Sequence, residues 1–424
     1  MEEKPTNSTL SMVRSWLLIQ VEDGFPTVAK FQRFFGAGVR RDFLNIVSFP
    51  EPASASGKEK AATRSSGSDS PKAQDQATRT LKNRQQNEST TTHNNKETNT
   101  RTRPEQNKVG FFTSFFYLVC EIYFRFASML GEEVTFVLLL PFLWWHFVTE
   151  LAESVVFLWC FSCYLGHMLK DLLQLPRPYA HTVARLEHHY ECEYGLPSTH
   201  AIAATTLPLC IALYCYRHTV SDPYVYISIG LAFWISVCLS RMYLGVHSPS
   251  DLFWGTVVGV GCFYLWVNVN EHVDYVLDTS PIQVMMAMPV VLAALLAVYP
   301  APPQWTNSYG DTATILGALN GGLLHMGMFG KVNLYRLNFS ELFSSETFLL
   351  AFARILVGYL VVFMTRLIMK KASFIFLSSI LPTKSQASTK ARYSIEIPAK
   401  FINYTVVCLS ATAWAPLAMN TLFS

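Results

Sequence analysis

The feature that most constrains this chain is a series of apolar runs of membrane-spanning length between residues 133 and 420. A transmembrane helix needs about 20 predominantly apolar residues. Lipid offers no partners for backbone N–H and C=O groups, so runs of this length cross a membrane as helices. The sequence therefore predicts an all-α fold, a polytopic transmembrane helical bundle of about nine spans. The predicted spans are 133–149, 153–170, 202–217, 223–240, 252–269, 284–299, 313–329, 346–366 and 402–420.

The stretch 111–130 is also apolar, but Glu121 and Arg125 lie one helical turn apart within it. It is either a further span or a helix in the membrane interface. Most cysteines lie inside apolar runs, where they are typical of small buried hydrophobes. No spacing of Cys and His resembles a zinc site.

The first 108 residues are mostly polar and carry a net charge of +5, while the remainder carries −2. We predict a polar, largely disordered N-terminal arm over 1–108 and a transmembrane domain over 109–424. Residues 52–108 are rich in Ser, Thr, Asn, Gln and Lys and cannot bury enough apolar surface to fold. Near 11–43, an apolar run followed by basic residues predicts an amphipathic helix, on the membrane surface or in solution. The basic arm suits an anionic membrane surface, and its pattern argues against a nucleic-acid partner.

Three polar clusters lie at the ends of predicted spans, over 170–178, 196–200 and 240–251. The first cluster ends one span, the second begins the next, and the third joins two later spans. Because two spans separate the second cluster from the third, all three face the same side of the membrane. A single Lys or Arg in such a position is usually an interfacial anchor. That interpretation does not explain two His, three cations and an Asp gathered on one face.

The residue types in these clusters suit the chemistry of a phosphate ester, which carries close to two negative charges near neutral pH. Lys170, Arg177 and Arg241 can neutralise that charge, and the two Arg side chains can bind oxygens bidentately. A magnesium-dependent phosphatase would need clustered carboxylates, whereas Asp251 is the one good acid among these cations. We therefore predict no metal and no cofactor.

The second and third clusters also contain prolines that are typical of the first turn of a helix, Pro197 and Pro249. Helices that start there would direct free backbone N–H groups at an anion, together with the Ser198 hydroxyl.

Two histidines can divide the chemistry, because one can attack phosphorus while the other protonates the leaving oxygen. His247 is the predicted nucleophile, since Asp251 lies four residues later and can hold its ring in the correct tautomer. His200 is the predicted general acid. A lone His next to a span is usually a surface or packing residue, and that interpretation applies to His146, His167, His218 and His325.

The three clusters resemble the motifs of the type 2 phosphatidic acid phosphatase superfamily, KxxxxxxRP, PSGH and SRxxxxxHxxxD. Here they run from Lys170 to Pro178, from 197 to 200 and from 240 to 251, with Thr199 in place of Gly. One branch of the superfamily, the sphingosine-1-phosphate phosphatases, shares that Thr. The chain is similar to this branch in further segments, which are 29–33, 194–201, 238–241, 310–317 and 390–398.

The resemblance implies a transmembrane core of the type 2 phosphatidic acid phosphatase kind. It implies hydrolysis of sphingosine 1-phosphate and dihydrosphingosine 1-phosphate to the free sphingoid base and phosphate, through a phosphohistidine intermediate and without Mg²⁺. It implies a multi-pass protein of the endoplasmic reticulum membrane with a lumenal active face, acting on a lipid phosphate among membrane lipid. The residues implied in phosphate binding are Lys170, Arg177, Ser198, Thr199 and Arg241. Assembly into a homo-oligomer is left open.

Two alternatives to this function remain. A lipid phosphate phosphatase of broader specificity, or a phosphatase resembling glucose-6-phosphatase, would keep the same catalytic residues. A non-catalytic phospholipid-binding transporter or receptor would be expected to lack some of them, and none is missing. The orientation is open as well, because this span count places the basic loop around Lys370 and Arg392 on the lumenal side. Lys and Arg in loops tend to stay cytoplasmic.

Overall fold

The computed structural model describes residues 8–37, 111–146, 149–178, 183–187, 189–218, 222–330, 345–380 and 389–423. Apart from residues 111–114, the described residues belong to one compact unit formed by Met1–Arg40 and Phe115–Ser424. No strand occurs among the described residues, which confirms the all-α fold. The stretch 52–108 lies outside the described residues, so the predicted arm and its boundary stay predictions.

Two helices occupy the region in which the sequence predicted an amphipathic helix. They are α1 (Ser8–Asp23) and α2 (Phe25–Phe34), and Gly24 separates them. Leu17 and Val21 of α1 are buried in an apolar cluster with Leu173, Leu175 and Leu196. The N-terminal region therefore packs against the segments that carry the first two polar clusters.

Six helices form the central part of the bundle and lead into the polar clusters. They are α3 (Phe111–Met129), α4 (Glu133–His146), α5 (Thr149–Leu173), α6 (Thr199–Arg217), α7 (Pro223–Tyr243) and α8 (Pro249–Thr279). The helix α6 packs against α5, α7 and α8. Gly255 permits the close approach of α8, because a Cβ there would lie 2.9 Å from the Ala201 Cβ of α6. The ends of these four helices are thereby brought together.

The C-terminal helices pack around α5 and α4. They are α9 (Pro281–Ala297), α10 (Asn307–Phe329), α11 (Ser345–Ile380), α12 (Thr389–Leu409) and α13 (Ala415–Phe423), with a π-helical turn at Ser410–Trp414. The helix α10 packs against α5, α9 and α12. Asp171 helps to fix this arrangement, because its Oδ2 accepts hydrogen bonds from the Tyr299 hydroxyl at 2.7 Å and the Thr306 hydroxyl at 2.9 Å.

Six described helices are long and apolar enough to cross a membrane, so the predicted count of nine spans is not confirmed. These six are Leu151–Leu173, Thr199–Arg217, Tyr224–Tyr243, Pro249–Thr279, Leu349–Ile380 and Tyr393–Phe423. The predicted spans 133–149 and 284–299 fall on apolar helices of fewer than 18 residues. The predicted span 313–329 falls on α10, which is long enough but contains too many Gly, Asn and Thr residues to be strongly apolar.

Candidate active site

The start of α8 holds the third polar cluster in place. Ser248 caps the helix, and its Oγ accepts a hydrogen bond from the Asp251 N–H at 3.2 Å. Asp251 Oδ2 accepts from the Ser248 N–H at 2.7 Å, which completes a capping box. Pro249 is the first helical residue, as predicted. His247 precedes the cap, and its Nδ1 lies 3.5 Å from Asp251 Oδ2, farther than in a good hydrogen bond.

The start of α6 joins the second cluster to the third. The Ser198 N–H donates to the Asp251 carbonyl oxygen at 3.1 Å. Ser198 also caps α6, since its Oγ accepts from the Ala201 N–H at 3.4 Å. The expectation that Pro197 lies in the first helical turn is wrong, because Ser198 is the cap and Thr199 the first helical residue. The cap is a serine because its short side chain can reach a backbone donor of the first turn.

Arg177 joins the first cluster to the third. Its Nε donates to the Glu193 carbonyl oxygen at 3.2 Å, and its Nη2 lies 3.0 Å from Glu193 Oε2. Its Nη1 contacts the Val246 carbonyl oxygen at 3.0 Å and His247 Nε2 at 3.1 Å. A guanidinium can only donate, so His247 Nε2 is the acceptor and the ring proton resides on Nδ1, toward Asp251. The nitrogen without a proton therefore faces the cations.

Glu193 neutralises part of the cationic charge. Its Oε2 lies 3.2 Å from Lys170 Nζ and also accepts from Arg177, so one carboxylate oxygen joins two buried cations. Lys170 Nζ donates in addition to Thr199 Oγ1 at 3.4 Å. The structure thus pairs Glu193 with two of the cations predicted to bind phosphate.

Arg241 completes the group of cations. Its Nη1 hydrogen-bonds the Ser128 hydroxyl and lies 3.3 Å from Glu187 Oε2. Its Nε and Nη2 have no hydrogen-bond partner among the described residues, which leaves two buried donors for an anion. The Tyr190 ring contacts two guanidinium groups, with its centroid 4.8 Å from Arg241 Cζ and 4.9 Å from Arg177 Cζ.

The loop that carries Glu187 is fixed by Gln32 of α2. The Gln32 amide nitrogen donates to the carbonyl oxygens of Ala184 at 2.7 Å and Tyr243 at 2.8 Å. Its amide oxygen accepts from the Ala184 N–H at 2.9 Å. Gln32 is 2% exposed, so these bonds satisfy a buried amide. The short N-terminal segment similar to the sphingosine-1-phosphate phosphatases thus supports the site from outside the bundle.

His200 lies at the border between the charged cluster and a cavity of about 300 Å³. The His200 ring contacts Tyr190 edge to face, with 6.0 Å between the centroids. Besides these two residues, the cavity wall includes three acids, which are Glu132, Glu193 and Asp311. A reacting group bound at the cations therefore has room on the His200 side.

The electrostatic surroundings keep His247 neutral. Burial, followed by the charges of Arg177, Arg241 and Lys170, lowers the pKa of His247 well below its usual value. Burial alone would raise the pKa of the Glu193 carboxyl, but Lys170 and Arg177 outweigh it and lower that pKa to about 2. A neutral imidazole thus lies beside ionised partners.

The site contains more acidic side chains than the sequence analysis predicted. Glu187 and Glu193 join Asp251, so the expectation of a single acid among the cations is wrong. Both additional carboxylates face cations. Across the part of the chain that the structure describes, no group of three or more His, Cys, Asp or Glu side chains could hold a metal ion. The absence of a metal requirement stays a prediction.

The structure brings the eight predicted site residues together, while their chemical roles stay predictions. They are Lys170, Arg177, Ser198, Thr199, His200, Arg241, His247 and Asp251. Sequence reasoning missed Ser128, Tyr190, Glu187 and Gln32. Tyr190 and Glu187 lie in the loop between the first two clusters, which must run along the same membrane face. Their position in this loop is the sequence feature that could have identified them.

Comparison with known proteins places this geometry in a family. The PAP2 superfamily matches residues 151–273, which contain all three clusters. Sphingosine-1-phosphate phosphatase 1 of Mus musculus is 30% identical over 319 residues, which cover 72% of this chain and 72% of that protein. This chain belongs to the sphingosine-1-phosphate phosphatase family of the PAP2 superfamily.

Other members of the sphingosine-1-phosphate phosphatase family extend the likeness. Sphingosine-1-phosphate phosphatase 2 of Mus musculus is 29% identical over 69% of this chain and 85% of its own length. A dihydrosphingosine 1-phosphate phosphatase of Saccharomyces cerevisiae is 32% identical over 36% of this chain and 41% of its own. No solved structure matches the chain significantly. The family membership and the apolar helices make this protein a multi-pass membrane enzyme that hydrolyses lipid phosphate monoesters.

Proposed function

We propose that this enzyme hydrolyses sphingosine 1-phosphate and dihydrosphingosine 1-phosphate to the sphingoid base and phosphate, through a phosphohistidine at His247. The observation that carries the proposal is the contact of 3.1 Å between His247 Nε2 and Arg177 Nη1. It supports an unprotonated Nε2 directed at the cations that would hold the phosphate. A nucleophile in this state needs no separate base to remove a proton from it.

In the first step, His247 Nε2 forms a bond to phosphorus while the bond from phosphorus to the ester oxygen breaks. His200 gives its proton to that oxygen, and the sphingoid base leaves as an alcohol. Asp251 stabilises the positive charge that develops on the His247 ring. Lys170, Arg177 and Arg241 balance the charge of the phosphoryl oxygens.

In the second step, water attacks phosphorus and gives a proton to His200, which is now the base. The bond between phosphorus and His247 Nε2 breaks, so inorganic phosphate leaves and both histidines return to their starting states. No metal takes part in either step.

The sphingoid base carries an amine two carbons from the phosphate ester, and the cavity beside His200 supports its recognition. Glu193 and Asp311 line this cavity, so carboxylates lie next to the cationic cluster. Asp311 Oδ1 is 3.6 Å from Lys400 Nζ, which balances part of its charge. The names of the relatives support the same substrate class.

The proposed location is the endoplasmic reticulum membrane, with the charged cluster facing the lumen. Glycosylation mapping tests this orientation, with an acceptor sequence inserted in the loop 171–196. Modification of that loop is the expected result, and a loop that stays unmodified beside a modified control loop on the other face would contradict it.

Substrate choice is tested with sphingosine 1-phosphate, ceramide 1-phosphate and lysophosphatidic acid in identical detergent micelles. We expect kcat/KM to be at least about tenfold higher for sphingosine 1-phosphate, since the other two lack a free amine. Asp311→Asn should lower the ratio of kcat/KM for sphingosine 1-phosphate to kcat/KM for lysophosphatidic acid. Glu396→Gln is the matched control, because Glu396 also lies near Lys400, at 3.8 Å, but does not line the cavity. Equal efficiency on all three lipids would leave the phosphatase chemistry intact and defeat the sphingoid assignment.

A further inference from the structure

A second cavity adjoins the cavity beside His200 and has the opposite character. It has a volume of about 110 Å³ and is partly open to the surroundings. Its wall is formed by α4, α5, α10, α12, the π-helical turn and one side chain of α11, and almost all of its lining is apolar. We call it the apolar cavity, with Leu140, Trp144, Ile315, Leu319 and Val407 among its lining residues.

The two cavities share a boundary made of aromatic rings. Phe136 and Trp159 line both cavities. Their rings are stacked, with centroids 4.6 Å apart and an angle of 13° between the planes. Because both rings belong to both walls, the apolar cavity borders directly on the region next to His200.

Unfilled space between packed helices is notable, because protein interiors normally pack as densely as organic crystals. Apolar cavities of this kind bind apolar molecules, since water finds too few polar partners in them. The charged residue of this wall is Glu153, which is buried and has a partner within the protein. The chemistry of the lining thus specifies a hydrocarbon occupant.

We propose that the apolar cavity binds the single long hydrocarbon chain of the lipid phosphate and sets the chain length that the enzyme prefers. The inference rests on the proposed function, because a phosphate at the cations places the ester oxygen near His200 and the start of the chain near Phe136. The walls supplied by α10 and α12 lie C-terminal to residues 151–273, outside the match to the PAP2 superfamily. Selection of the chain is therefore separate from the catalytic motifs.

Substitution of Gly322 in α10 can test the proposal. It lines the apolar cavity, and a Cβ at this position would have its nearest neighbour, Cys408 Sγ, at 4.0 Å. A larger side chain can therefore extend into the empty space. The adjacent Gly321 is different, because a Cβ there would collide with the backbone oxygen of Thr405. Gly322→Leu thus fills the cavity without forcing α10 away from α12.

The experiment measures kcat/KM for sphingoid base phosphates with chains of 12 to 20 carbons, in micelles of fixed composition. In the wild type, kcat/KM should rise by up to about fourfold for each methylene buried, until the cavity is full. Gly322→Leu should keep its activity on the shortest substrate and lower the ratio of the 18-carbon to the 12-carbon value by at least about tenfold. Retained activity on the short chain shows that the variant is folded.

The matched control is Gly261→Leu on α8, where the same change meets no atom within 4 Å and the residue is exposed. It should keep the chain-length profile of the wild type. Ala318→Leu, one turn before Gly322 in the same wall, repeats the test if Gly322→Leu does not fold.

A wild-type chain-length profile in a folded Gly322→Leu or Ala318→Leu enzyme would overturn the proposal and leave the chain in the surrounding lipid. A wild type that cleaves no sphingoid phosphate would instead contradict the proposed function. The same series with lysophosphatidic acids of matched chain length would then test whether the apolar cavity binds the hydrocarbon chain.

Discussion

The charged cluster around His247 and the apolar cavity lie on either side of Phe136 and Trp159, but they constrain the sequence very differently. The charged cluster needs particular side chains at fixed positions, because Arg177 alone makes four polar contacts with three residues. The cavity needs only apolar side chains and unfilled volume, which many residue combinations supply. Catalysis therefore leaves motifs in a sequence, whereas the proposed selection of the chain does not.

The most severe test of this contrast between the charged cluster and the apolar cavity is His247→Ala. We expect kcat to fall by more than about 10³-fold for every chain length alike, because the attacking atom is lost while the cavity is unchanged. A brief pulse with ³²P-labelled substrate should place acid-labile phosphate on the wild type and none on the variant. His218→Ala, at the exposed end of α6, is the control and should behave as wild type. Turnover near the wild-type level in His247→Ala would refute the mechanism.

Asp251→Asn should have the next largest effect, a loss of kcat of roughly 10²–10³-fold. The carboxylate no longer stabilises the charged His247 ring, while the amide oxygen can still accept from the Ser248 N–H and retain the start of α8. Asp222→Asn makes the same change at the exposed start of α7, where Asp222 Oδ1 accepts from the Tyr224 N–H at 3.0 Å. Equal losses in both variants would indicate a folding defect and contradict the assigned role of Asp251.

Gln32→Ala tests whether the N-terminal helices support the charged cluster and not the cavity. Unsatisfied groups at Ala184 and Tyr243 should lower the free energy of unfolding by about 1–3 kcal/mol. Displacement of the loop that carries Glu187 should lower kcat/KM about tenfold, equally for short and long chains. Thermal unfolding and kinetics are compared with Lys30→Ala, a change at a neighbouring exposed residue. An unchanged Gln32→Ala enzyme would show that the site does not depend on this contact.

Changes of pH should affect kcat/KM less than these substitutions do. Burial and nearby cations lower the pKa of His247 well below 6.5. The nucleophile must be neutral, so kcat/KM should not fall as the pH drops through 6.5 and should decline only at a lower pH. The comparison requires correction for the second ionisation of the substrate phosphate, near pH 6. An acid limb centred at or above pH 6.5 after this correction would contradict the electrostatic account.

Chelation of divalent metal ions should have no effect on activity. EDTA should leave kcat/KM unchanged, because the carboxylates near the site are directed at cations. Vanadate should inhibit, since it adopts the five-coordinate geometry of phosphoryl transfer at the same cations. Loss of activity in EDTA, restored by Mg²⁺, would mean that Glu187 and Glu193 have another role.

The sequence by itself determined that the chain is helical and membrane-embedded, because apolar runs of this length exclude other structures in lipid. It also predicted the eight candidate site residues that the structure brings together, since span ends place their clusters on one membrane face. Tertiary structure alone decided that Glu193 joins Lys170 to Arg177, that Tyr190 contacts two Arg side chains, and that Gln32 fixes a distant loop. It also decided that α4, α5, α10 and α12 enclose an unfilled space. The physical reason is that local patterns encode which face of a helix is apolar, whereas contacts between distant segments depend on how whole helices pack.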